Sequence, residues 1–362
     1  MHELTKDQAR RIIVRAQLLD AARPGDVVEV AEQLGYVKID PTATIAPSEQ
    51  TVLWSRIGWS YEPGQLQKTV EEDRLLFEYD GAFRPMSLLP LMLPAMRRWP
   101  EREKTRQWLE ANDRFARDVL DRLRAEGPLL GTEIPDTAQV SRAPDGWSGS
   151  NQVPIMLDFL LRQGKVAIVG RENRHRRWDL AERVYPPDLP EYGDEDAARL
   201  LEERMLQAAG LAKPHWWWNG VGTTSGEPAV VEGSSWKLRV DPEALASLED
   251  GDEGGRVAFL NPYDSLLFDR KRLDEIFGFT YVLEQFKPKA QRTYGYFAHP
   301  ILMGDRFVGM LDAELDRSRE VLRVNAVHEF MPFEPEEHEM VRAEVGELAD
   351  WLGVTVSDSA QP

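Results

Sequence analysis

The sequence predicts a mainly α fold with small β elements: tandem winged helix-turn-helix modules followed by a C-terminal β subdomain. Three observations predict it. Helical stretches within residues 1–72 give way to a strand pair over 75–86 with Asp80–Gly81 at its turn. The same order, helices and then a two-stranded hairpin, returns over 104–180. Residues 286–330 then hold strand-like runs around a Gly304–Asp305 turn. Helices closed by a hairpin are the winged-helix order, and the middle copy is the clearer one.

Each element has its own signal. Thr5 and Gln8 stand at capping-box spacing, and Ile12, Ile13, Ala16 and Leu19 recur with helical period. A second helix is expected over 27–34, stopped by Gly35. YVKID at 36–40 reads as extended, so Lys38 and Asp40 are expected on one face with Ile39 on the other. Pro63 sits where a first helical turn tolerates it. LLFEYDGAFRPM at 75–86 reads as a hairpin. Residues 85–104, with four prolines, read as a connector. One long helix is expected over 104–125, with Trp108, Ala111, Phe115, Val119 and Leu123 as its apolar stripe. Val153, Met156, Leu157, Leu160 and Leu161 mark the next helix, and KVAIVG and RRWDL form the wing around RENRH. Beyond it come a helix over 197–209, the run Trp216–Trp218, and a strand WKLRV. A hairpin then turns at Gly304–Asp305, a strand follows over 321–330, and a last helix spans 335–352.

Composition bounds the function classes. The 362 residues are 42% hydrophobic and 29% charged, as in a globular protein of two or three domains. No apolar run is long enough for a membrane span, and the opening MHELTKDQARR lacks an apolar signal region, so a cytoplasmic location is expected. The absence of cysteine excludes disulfides, thiolate metal sites and a thiol nucleophile. A net charge of −18 opposes binding to a polyanion, but it is unevenly spread. Residues 241–255 carry six acids and no base, and 334–350 carry seven acids against Arg342. RENRHRR at 171–177 instead holds Arg171, Arg174, Arg176 and Arg177 against one acid. These four arginines are candidate phosphate contacts; a solvated wing tip is the competing reading. The Trp216–Trp218 run reads as a core seam or as a base-stacking platform.

The common catalytic motifs are missing. There is no GxGxxG between strand and helix, no GKS/GKT loop, no HExxH and no GxSxG, and six histidines are scattered. What remains is YVKID. A lone carboxylate, Asp40, could orient a water or stabilise positive charge developing on a sugar ring. That suffices when the leaving group is already activated, so a second carboxylate is not required. A surface ion pair of Lys38 with Asp40 is the structural alternative.

YVKID, VLWSRIG at 52–58, FLNPYDSLLFDRKRLDEIFGF at 259–279 and KPKAQRTYGYFAHPILMGDRFVGMLDAELDR at 287–317 resemble the bacterial tandem winged-helix DNA glycosylases that excise alkylpurines and unhook interstrand crosslinks. The resemblance covers nearly the whole chain. It implies three winged-helix modules over 1–95, 96–190 and 191–285, with a C-terminal β subdomain and terminal helix over 286–362. It further implies a concave DNA-binding face, hydrolysis of N-glycosidic bonds to damaged purines in duplex DNA, a monomer, and no metal or organic cofactor. The family's catalytic motif is Gln-x-Gln or Gln-x-Asp. The matching residues Lys38-Ile39-Asp40 are nearer the second branch, with lysine in place of the glutamine. Asp40 carries over as the catalytic carboxylate. Lys38 is left as a phosphate contact, an ion-pair partner, or an amine nucleophile. Arg56, Arg292 and Tyr294 join the four wing arginines as candidate DNA contacts. A DNA-binding protein without catalysis and a winged-helix protein-interaction module stay open beside the glycosylase.

Overall fold

The computed structural model describes residues 1–142, 151–173, 175–214, 224–250 and 255–358. The fold is mainly α with small β elements: several helical modules and a C-terminal mixed sheet. The chain divides into two compact units, one of residues 1–65 with 202–362, the other of residues 66–201. Arg174 and the Trp216–Trp218 run lie outside the described residues.

The discontinuous unit begins with a short strand, His2–Leu4, and the helix Lys6–Ala16. Thr5 and Gln8 form the predicted capping box, with Gln8 N–H donating to Thr5 Oγ1 at 3.1 Å and Thr5 N–H to Gln8 Oε1 at 2.9 Å. Asp26 caps the helix Val27–Leu34 by accepting from Glu29 N–H, and Gly35 ends it at φ 72°. The helix Ser48–Ile57 follows. It is buried over most of its length, as the run TVLWSRIGW at 51–59 leads one to expect of a buried or half-buried element. Two sheets complete this unit. In one, His2–Leu4 pairs in parallel with Glu227–Val231, which pairs with Leu238–Val240 and then Leu211–Ala212. The other runs Val257–Phe259, His299–Met303, Arg306–Asp316, Val321–Glu329 and Thr355–Asp358, antiparallel except for its last pair. Ile12, Ile13 and Leu19 share one core with Leu260, Leu266, Leu273, Ile276 and Leu302, so the first helix is packed by residues about 250 positions away.

The continuous unit is closer to the sequence reading, with two corrections. Its first hairpin pairs Leu76–Tyr79 with Ala82–Pro85, and Asp80 and Gly81 both take positive φ, 51° and 67°, as a two-residue primed turn requires. The expected connector contains a helix, Leu89–Arg98, because Pro90 sits in the first turn where no N–H is needed, and Leu89, Leu91, Met92 and Met96 are buried. The expected single long helix is two, Glu103–Ala111 and Asp113–Glu126. Asn112 makes the break. It is fully buried, its amide donates to the carbonyls of Trp108 and Val140, and its Oδ1 accepts from the N–H groups of Gln139 and Val140. Helix continuation is exchanged for a pinned loop. The helix Val153–Arg162 and the hairpin Val166–Glu172/His175–Leu180 follow, with Leu129–Leu130 as the third strand of a winged helix. Phe115, Val119, Leu123, Met156, Leu160 and Trp178 form its core.

Candidate active site

The strand carrying the motif is shorter than predicted. It covers Val37–Lys38 only, so the one-face relation of Lys38 and Asp40 does not apply. Asp40 lies on the turn after the strand, and Lys38, Ile39 and Asp40 are all half-buried. One residue organises this turn. Ser48, fully buried at the head of the next helix, donates its Oγ–H to the Lys38 carbonyl at 2.8 Å and its N–H to the Asp40 carbonyl at 3.2 Å. The Asp40 side chain folds over its own backbone, its Oδ1 accepting from Thr42 N–H at 2.8 Å. Glu49 Oε2 lies 3.4 Å from Asp40 N and accepts from it. Asp40 is thus a carboxylate in a fixed orientation with a second carboxylate nearby. Ser48 and Glu49 were missed from sequence, since each looks like an ordinary first-turn helix residue.

Thr44, in the loop after Asp40, accepts from Leu315 N–H at 2.7 Å, which fastens the loop to the long strand Arg306–Asp316. A second loop reaches the same strand three residues away. There Gly295, at φ 130°, lies so close to Asp312 that a Cβ would stand 2.6 Å from its carboxyl carbon. Burial raises the Asp312 carboxyl, partly offset by its bond with Asn325 and by His328. His299, fully buried on the neighbouring strand, is pulled down to about 4 by burial and is neutral at physiological pH. Asp312 and His299 carried no motif that sequence reading could have used.

The candidate DNA contacts fare unequally. Arg292 is half-buried, donates Nε–H to the Lys287 carbonyl at 2.9 Å, and lies 4.9 Å from the centre of the exposed Tyr296 ring. Tyr294 packs edge-on to His328 and Phe330. Beneath both, the buried Glu284 accepts from the N–H groups of Thr293 and Tyr294 and from Lys287 Nζ. Burial alone would raise Glu284, but the bonds from Tyr294, Lys287 and Thr293 win and hold it below the usual carboxylate range.

Arg56 is a correction. It is fully buried, paired through both terminal nitrogens with the buried Asp264, and bonded through Nε to the Gln17 carbonyl. A guanidinium so enclosed cannot reach a phosphate. Asn261 also donates to Thr51 Oγ1 at 2.8 Å, so VLWSRIG and FLNPYDSLLF are two halves of one buried joint. In the wing, Arg171 makes a two-oxygen contact with the buried Glu78 at 2.8 and 2.7 Å, and Arg176 donates Nε–H to the same carboxylate at 2.7 Å. Their charge first answers a buried acid. Arg177 is more exposed and holds Glu172 and the Pro128 carbonyl.

Among the described residues no group of three or more His, Asp or Glu is arranged to hold a metal ion, and no helix is long and apolar enough to cross a membrane. The chain is similar in fold to the DNA glycosylase AlkZ of Streptomyces sahachiroi, with a TM-score of 0.65 over 98% of this chain and 100% of that one, at 16% identity. Residues 31–351, which include the Asp40 turn, the buried joint and the long strand, match the family model described as DNA glycosylase AlkZ-like. The chain belongs to the AlkZ-like DNA glycosylase family.

Proposed function

We propose that this protein hydrolyses the N-glycosidic bond of alkylated or crosslinked purines in duplex DNA, acting as a monomer without a cofactor. The observation that carries the reading is the Asp40 turn. Within a chain matched to this family over residues 31–351, one carboxylate is held by Thr42 N–H and by a backbone stapled through Ser48. Alkylation at a purine ring nitrogen makes the base a cationic leaving group, so the enzyme need not protonate it. Asp40 then stabilises positive charge as the C1′–N bond opens and orients the water that adds to C1′. Glu49, which accepts from the Asp40 N–H, adds a second negative charge beside it. Lys38 serves as a phosphate contact or as a partner of Asp40. The motif reads as a variant of the Gln-x-Asp branch.

The test is base release from duplex DNA carrying N7-alkylguanine or an interstrand crosslink. Wild type is expected to release the base, and Asp40→Asn to bind with nearly unchanged affinity while losing release by about 100-fold or more. Equal release by the two proteins would remove Asp40 from the mechanism. A second reading, duplex binding without catalysis, is favoured by one observation: lysine stands where the family motif has its first glutamine. Tight binding with no release from any of several lesions would select it.

A further inference from the structure

Phe286 is the most exposed aromatic ring among the described residues, 87% open to solvent against 79% for Trp59. Its setting makes that exposure informative, because the loop under it is held on both sides. Just before it, Gln285 donates its amide to the Tyr263 hydroxyl at 2.7 Å. Just after it, Lys287 donates its N–H to the Glu284 carbonyl and its Nζ to the Glu284 carboxylate, both at 2.9 Å. Glu284 also gathers Thr293 and Tyr294 from the far end of the loop, and Tyr294 is backed by His328 and Phe330. The ring therefore projects from a clamped base.

The charge around it selects the occupant. From Gln285 to Gly304 the chain runs twenty residues without an acid, carrying Lys287, Lys289 and Arg292, in a protein of net charge −18. Lys289 is exposed, and Arg292 lies against Tyr296, itself 44% exposed. An exposed apolar ring on a loop that goes on to Lys289 and Arg292 suits a partner that is both polyanionic and stackable. The far end of this loop and the loop that follows Asp40 attach to one strand. Gly295 meets the long strand at Asp312 and Thr44 meets it at Leu315, attachment points three residues or about 10 Å apart along the strand.

We propose that Phe286 is a wedge that enters the base stack of bound duplex DNA beside the damaged nucleotide, while Lys289 and Arg292 hold the flanking phosphates. This rests on the duplex-binding reading above. Unstacking one step loosens the lesion and opens its sugar to the Asp40 turn. Removing the ring leaves no cavity because it is not packed, so the variants are expected to fold, with thermal melting as the control.

The experiment uses the full chain and a duplex containing 2-aminopurine next to an N7-alkylguanine or its non-hydrolysable analogue. Binding is followed by anisotropy at low salt, and unstacking by 2-aminopurine fluorescence at saturation. Wild type is expected to raise the fluorescence several-fold. Phe286→Ala is expected to bind within about 10-fold of wild type and to lose most of the rise, while Phe286→Leu restores part of it. Lys289→Gln is expected to weaken binding and to lower the salt slope by about 1. Binding without a fluorescence rise, or an equal rise in Phe286→Ala, overturns the wedge alone and leaves the ring to a protein partner. No binding to any duplex at low salt overturns the wedge and the duplex-binding reading together.

Discussion

At the residue scale the chain separates side chains that chemistry needs from side chains that folding consumes. Asp40 is exposed enough to meet a ligand and constrained enough to hold one orientation. Arg56 is a cation whose sequence context suggested DNA and whose surroundings are protein throughout. Arg56→Met is expected to destabilise by about 3–5 kcal/mol, since it leaves Asp264 buried and unpaired, and Arg56→Met with Asp264→Leu to recover much of that. Denaturant titration of the three proteins checks it, and a loss confined to DNA affinity would contradict the assignment. Glu344 gives a pH test. Burial raises its carboxyl to about 7, against the opposing pull of Arg23 and Arg256 and with a small contribution from Glu347. Because the folded value lies above the unfolded one, the unfolded chain releases this proton first. Stability from this group is therefore full below about 4.5, falls as pH rises toward 7, and is level above it. Across that window the loss is about 3 kcal/mol by order of magnitude. Glu344→Gln is expected to flatten the stability profile between pH 5 and about 7; an unchanged slope would show that Glu344 titrates normally.

At the scale of elements, what was legible from sequence was local. The capping box at Thr5 and Gln8, the primed turn at Asp80–Gly81, the wing over 166–180 and the terminal helix all rest on short-range signals, and each is present in the fold. The misses at Asn112, at Ser48 and in the wing share one cause: a side chain whose partner is distant in sequence. Asn112 is unremarkable in a helical stripe until Gln139 and Val140 arrive to bond it. Ser48 gains its role only when the Lys38 and Asp40 carbonyls fold onto it. The wing arginines looked like phosphate contacts because Glu78, about ninety residues earlier, carries no mark of a buried acid. Arg171→Ala is therefore expected to cost stability as well as any DNA affinity, about 2–4 kcal/mol, because it strips a two-oxygen contact from a buried carboxylate. Arg171→Ala with Glu78→Gln should recover part of it. An Arg171→Ala protein with wild-type melting and weaker DNA binding would return this residue to the phosphate-contact set.

At the scale of the whole molecule, the modules predicted along the chain are contiguous, whereas the compact units are not. Residues 1–65 belong with 202–362 because the strand His2–Leu4 pairs with Glu227–Val231 and because Ile12, Ile13 and Leu19 are packed by residues from 260 onward. Trp351, near the end of the last helix, stacks on Trp54 and Tyr61, so the terminal helix packs against the helix Ser48–Ile57 and the turn after it. Residues 66–201 instead hold their own core, from Trp108 and Phe115 to Trp178 and Leu180. A fragment of residues 66–201 is accordingly expected to unfold in a single cooperative transition, whereas a fragment of residues 1–65 should lack one, having lost the partners of its first helix. Circular dichroism melts of the two fragments decide it. A cooperative melt from residues 1–65 alone would mean that the first helices form a self-sufficient module, and that the long-range core adds stability without being required for folding.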